Sequence, residues 1–97
     1  MNNLIPVIIQ SSITKDVLML GYMNDEALKR TKVKRMLYLW SRSRNELWKK
    51  GATSGNMLTV QEILFDCDKD AILVFVDDKD KTICHMGTKT CFTKELL

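Results

Sequence analysis

The sequence predicts a small single domain spanning residues 1–97, mainly β or α+β, built of short antiparallel strands with one helix. Three observations lead there. Short apolar, β-branched runs recur along the chain, separated by clusters of turn formers. Only one segment carries the start and end signals of a helix. The length of 97 residues suffices for one domain.

Residues 4–10 are apolar and β-branched, and Pro6, which lacks an N–H, suits an edge or the start of a strand. Residues 11–16 are polar and read as a turn. Residues 17–22 form a second apolar run, and so short a connection predicts an antiparallel hairpin. Asn24 is a good helix N-cap. Asp25 and Glu26 suit the positive end of the helix dipole, and Lys29, Arg30 and Lys32 suit the other end. The helix is therefore placed at Asp25–Lys34, with Ala27, Leu28 and Thr31 toward the core and no glycine to end it.

Residues 36–40 form a further strand, and Ala52-Thr53-Ser54-Gly55-Asn56 is rich in turn formers. Residues 57–66 alternate unevenly and are long for one strand, so a bulge or bend is expected. Residues 71–76 are continuously apolar, which predicts a strand buried on both faces. Residues 77–80 read as a turn and residues 81–84 as a short strand. The total is five or six strands and one helix.

Composition is that of a globular chain: 45% hydrophobic, 28% charged, net charge +3. The longest apolar run is too short to span a bilayer. The first ten residues carry no basic region or cleavage site, so a cytoplasmic protein is expected. Charge is unevenly spread. Residues 29–50 hold nine Lys/Arg against Glu46 alone. Such a stretch attracts phosphate, or it is simply a solvated face.

Four constellations can carry chemistry. The first is Cys67, Cys84 and Cys91. An odd cysteine count argues against a disulfide framework. The thiols are either small buried hydrophobes or ligands for Zn²⁺, and three ligands leave a position open for water. The second is Asp66, Asp68 and Asp70, in the run Asp66-Cys67-Asp68-Lys69-Asp70. If this run is extended, the carboxylates share one face and suit Mg²⁺, while Cys67 lies on the other. Two metal sites would then be built around one strand. A solvated acidic turn is the alternative. The third is His85, beside Cys84, with a pKa suited to proton transfer. The fourth is Ser41-Arg42-Ser43-Arg44 with Lys50, Thr53, Ser54 and Gly55, whose guanidinium forks, hydroxyls and glycine suit phosphate. Trp40 and Trp48 can stack on a base or fill the core.

At these residues the chain resembles the phosphoribosyl-AMP cyclohydrolase family of histidine biosynthesis. The strings that carry the resemblance are Val17 through Asn24, Trp40-Ser41-Arg42-Ser43-Arg44, Leu47-Trp48-Lys49-Lys50-Gly51, Thr53-Ser54-Gly55, Asp66 through Asp70, and Cys84-His85-Met86-Gly87 through Cys91-Phe92. The resemblance implies hydrolysis of the N1–C6 bond of the adenine ring in phosphoribosyl-AMP, giving the formimino carboxamide ribonucleotide. It also implies an intertwined homodimer with sites at the interface. Cys67 of one subunit and Cys84 and Cys91 of the other would hold Zn²⁺. Asp66, Asp68 and Asp70 would hold Mg²⁺, and His85 would act as acid or base. Arg42, Arg44, Lys50, Thr53, Ser54 and Gly55 would bind the substrate. Three thiolates weaken a zinc ion as a Lewis acid, so nearby cations or Mg²⁺ would compensate. The chain departs from the family pattern at Arg35, where glycine is expected, and at Ala52, Met86 and Thr93. A zinc-stabilised RNA-binding module is the alternative from another class, but it leaves the three aspartates unexplained. A non-catalytic relative is disfavoured by the intact cysteines and histidine.

Overall fold

The computed structural model describes residues 3–52, 55–84 and 86–97. Strands β1 (Ile5–Ser11) and β2 (Val17–Met23) form the predicted antiparallel hairpin. Ser11 shapes its turn: the hydroxyl oxygen accepts the N–H groups of Ile13 and Thr14 at 3.1 and 3.0 Å. Helix α1 spans Asp25–Lys34, as the charge pattern predicts. Asn24 Oδ1 accepts the Ala27 N–H at 2.9 Å and satisfies one of the orphan donors of the first turn. The helix ends at Arg35, which adopts the left-handed conformation (φ 60°, ψ 22°) while its N–H donates to the Thr31 carbonyl. This is the position where glycine normally sits, so the arginine carries a backbone cost of about 1 kcal/mol.

β3 (Tyr38–Ser41) and β4 (Glu46–Lys49) make a second hairpin, and β5 (Thr59–Phe65) and β6 (Ile72–Asp77) a third. The first and third hairpins join in one sheet of order β2-β1-β6-β5. β1 and β6 pair in parallel, Val7 beside Ile72 and Ser11 beside Val76. Here the structure departs from an all-antiparallel arrangement, because β6 returns alongside β1 only after a long excursion through α1 and the second hairpin. The register of β5 shifts at Gln61, the irregularity expected of that long segment.

α1 and the second hairpin cover one face of the sheet. Val7, Ile9, Ile72, Val74 and Val76 point into the same core as Ala27, Leu37 and Leu39. Each fully buried aliphatic side chain contributes about 1.5–3 kcal/mol. Gly21 permits a close approach of the layers, because a Cβ there would stand 3.0 Å from Leu39 Cδ1. Thr31 is the buried polar link. Its hydroxyl donates to the Ala27 carbonyl at 2.8 Å and accepts the Tyr38 N–H at 3.0 Å, tying α1 to β3.

Three expectations are corrected. β6 is fully buried on one face only; Leu73 and Phe75 are half-buried, because no second layer among the described residues covers the outer face. Residues 81–84 form no strand and run as a loop. Residues 66–70 are not extended: they are the turn between β5 and β6. Asp66 dictates this. Its carboxylate accepts the N–H groups of Asp70 and Ala71 at 2.9 and 3.3 Å, and Lys69 takes a left-handed φ of 62°. No helix among the described residues is long and apolar enough to cross a membrane.

Candidate active site

Beyond the C-terminal end of β6 lies a cleft of about 600 Å³, large enough for a nucleotide. The second hairpin supplies one wall, with Ser41, Ser43, Arg44, Trp48 and Lys50. The segment after β6 supplies the other, with Thr82, Ile83, Cys84 and Gly87. Two cross-links hold the walls at their spacing. Lys50 Nζ donates to the Ile83 carbonyl at 2.6 Å, and Asn56 Nδ2 donates to Thr82 Oγ1 at 3.2 Å. Gly51 makes the bend between them possible. Its φ is +86°, and a Cβ there would collide with the Asn56 carbonyl.

Cys84 and Cys91 sit side by side, sharing a thiol hydrogen bond. The backbone brings them together in two ways. The N–H groups of Ile83 and Cys84 both donate to the Thr88 carbonyl at 3.1 Å, and the Gly87 N–H donates to the Cys84 carbonyl at 2.9 Å. The Cys91 N–H then donates to the Leu18 carbonyl at 2.7 Å, while the Thr90 hydroxyl donates to the Val17 carbonyl at 2.9 Å. The two thiols titrate apart. The Met86 N–H, with help from Thr88, Cys91 and Lys50, holds the Cys84 thiol below its ordinary value. Burial, reinforced by the neighbouring Cys84, pushes the Cys91 thiol up.

Cys67 is elsewhere. It lies exposed in the β5–β6 turn, beyond the N-terminal end of β6. The six residues of β6 separate the two ends by roughly 16 Å of strand. The three cysteines therefore do not meet within one copy of the chain.

The same turn gathers Asp66, Asp68 and Asp70, whose carboxylate oxygens lie within 4.8 Å of one another. Turn geometry, not strand alternation, puts them together. Asp66 and Asp70 titrate in opposite directions. The hydrogen bond with Asp70, together with backbone N–H donors, holds Asp66 below the usual carboxylate value. Asp70 bears the opposite burden: its hydrogen bonds to Asp66 and Asp68, and their charges, push it up to about 6.

The remaining sequence-derived site residues divide. Arg44 and Lys50 line the cleft. Arg42 is not among its lining residues; its guanidinium stacks 4.0 Å above the Tyr22 ring. Gly55 closes the Gly51 turn, donating its N–H to the Gly51 carbonyl at 2.8 Å. Thr53, Ser54 and His85 lie outside the described residues. Asn56 and Thr82 are site residues that the sequence alone did not reveal, since the bond between them joins positions 26 apart. Asp78, read as part of a polar turn, is buried and accepts a 2.6 Å hydrogen bond from the equally buried Ser11 hydroxyl. That bond anchors the segment leading to Cys84 onto β1.

Comparison with known proteins bears directly on this cleft. Residues 19–93 match the family model of phosphoribosyl-AMP cyclohydrolase. The chain is 53% identical over 93 residues to the phosphoribosyl-AMP cyclohydrolase of Archaeoglobus fulgidus, an alignment covering 96% of this chain and 85% of the relative. It is 49% identical over 96 residues to the cyclohydrolase of Clostridium beijerinckii, covering 99% and 87%. It is also 50% identical over 91 residues to the histidine biosynthesis bifunctional protein HisIE of Haemophilus influenzae, covering 94% of this chain but 41% of that longer protein. With a family match over most of its length and relatives at about half identity, the chain belongs to the phosphoribosyl-AMP cyclohydrolase family.

Proposed function

We propose that this protein, read as one cyclohydrolase domain of a cytoplasmic homodimer, opens the adenine ring of phosphoribosyl-AMP at the N1–C6 bond, giving the formimino carboxamide ribonucleotide of histidine biosynthesis. One observation carries the reading: Cys84, with Cys91 beside it, lines a nucleotide-sized cleft whose opposite wall is cationic and aromatic. In the reaction the oxygen of water adds to C6, the C6–N1 bond breaks, and a water proton ends on N1.

The donor sets fit two different metals. Adjacent thiols, one already biased toward thiolate, suit Zn²⁺. Three carboxylates with oxygens within 4.8 Å of one another suit Mg²⁺. Cys84 and Cys91 would hold zinc together with Cys67 of the partner subunit, because the Cys67 of the same copy lies at the far end of β6. The Asp66, Asp68 and Asp70 carboxylates would approach the substrate phosphates by the same exchange between copies. When bound, zinc supplies the Lewis acidity that makes water nucleophilic near neutral pH.

The chain's own residues do the rest. Arg44, Ser41 and Ser43 offer charge-assisted and hydroxyl donors to a phosphate. Arg42, Thr53, Ser54 and Gly55 are assigned the same role from the sequence pattern alone. Trp48 offers a ring face to the base. His85, next in sequence to Cys84, is assigned the proton transfer to N1. The outer sheet face supports the dimer: Ile8, Leu20 and Leu64 are each about 40–50% exposed there.

The test is direct. The purified protein, supplied with phosphoribosyl-AMP, Zn²⁺ and Mg²⁺, is expected to convert it with a change in ultraviolet absorbance. Chelation should stop the conversion and zinc should restore it. No ring opening under any metal condition would reject the reading.

A further inference from the structure

The cleft contains a cation with no counter-ion among the described residues. Lys50 is nine-tenths buried, the only lysine or arginine among the described residues so enclosed. Burying an ammonium is costly unless an opposite charge stands nearby. Yet among the described residues no carboxylate lies within ion-pair reach of Nζ; the two ion pairs present join Arg30 to Glu26 and Arg44 to Glu46. The ammonium is held by the Ile83 carbonyl at 2.6 Å and by the face of Trp48 at 5.5 Å, and neither carries a net charge. Ile83 immediately precedes Cys84.

We propose that Lys50 is a positioning residue for the thiol pair, its buried ammonium offsetting the thiolate charge of Cys84 and Cys91 and so strengthening Zn²⁺ binding between them. This rests on the reading that the pair holds zinc. Two further observations agree. Lys50 and Cys84 line the same cleft. And the bond to Ile83 fixes the backbone from which Cys84 projects, so one side chain sets both the place and the electrostatic environment of a ligand. A role as phosphate anchor, which the sequence suggests for Lys50, fits less well: the ammonium is committed inward, whereas Arg44 stands exposed on the same wall.

The experiment measures zinc affinity of the full-length protein by competition with a chromogenic chelator. The variants are Lys50→Met, Lys50→Gln and Lys50→Arg. Loss of an outer partner of a metal ligand typically costs 10–100-fold in affinity, and about that loss is expected for Met and Gln. Arginine keeps the charge and should stay within about threefold of the parent. Affinities are compared only among variants that fold, as judged by circular dichroism, and the KM for phosphoribosyl-AMP is measured at saturating zinc. If Lys50→Met does not fold, the Gln and Arg pair decides the matter. Equal zinc affinity in the parent and the neutral variants overturns the proposal, as does equal weakening by Gln and Arg, or a raised KM at unchanged zinc affinity. A parent protein that takes up no zinc instead rejects the underlying reading, and is recognised before any variant is made.

Discussion

Cys67 and Cys84 lie beyond opposite ends of the same strand, β6, so the two thiols cannot meet within one copy of the chain. β6 acts as a spacer. The carboxylate turn sits at its N-terminal end and the cleft at its C-terminal end. On the proposed function, a complete site would need the turn of one copy beside the cleft of another, and activity would depend on assembly.

The first prediction concerns the acidic turn. In the folded chain Asp70 holds its proton up to about pH 6, against 3.8 for an ordinary aspartate. Between those values the folded state binds more protons than the unfolded one, so stability falls as pH rises from about 4 to about 6. Asp66, shifted the other way, acts only below that window. On the proposed function, a divalent cation would compete with protons for this turn. Millimolar Mg²⁺ is therefore expected to raise the unfolding temperature at pH 7 and to leave it unchanged at pH 4.5. An equal effect at both values would show that the cation acts elsewhere.

The second concerns Ser11 and Asp78. Removing the hydroxyl by Ser11→Ala leaves a buried carboxylate without its 2.6 Å donor. A loss of about 2–3 kcal/mol in urea unfolding is expected. A loss under about 0.5 kcal/mol would show that another group takes over the carboxylate.

The third concerns the end of α1. Glycine adopts the left-handed conformation of Arg35 without steric cost. Arg35→Gly is expected to stabilise the protein by about 0.5–1 kcal/mol in denaturant midpoint at unchanged slope. Destabilisation would show that the arginine side chain contributes more than its backbone costs.

Local physics made much of this architecture readable. The helix and its Asn24 cap follow from charge and capping within a dozen residues, and the first hairpin from a short polar connection. The family resemblance expects glycine at Arg35, and the left-handed φ found there is one that glycine adopts freely. The aspartates were correctly grouped, but for the wrong geometric reason. An alternation argument assumes an extended run, whereas the Asp66 side chain captures two backbone N–H groups and folds the run into a turn. What the sequence hid is nonlocal. The parallel pairing of β1 with β6, the Asn56–Thr82 bond and the enclosure of Lys50 each join residues far apart in the chain. No periodicity records such meetings.

The most direct measurement of the shared site is subunit complementation. Cys67→Ser and Cys84→Ser proteins are each expected to be inactive. Mixed, unfolded and refolded together in equal amounts, half the dimers carry one of each, and each such dimer regains one intact site of two. Recovery of about a quarter of the parent activity is expected. A mixture as inactive as its components would contradict a site divided between copies.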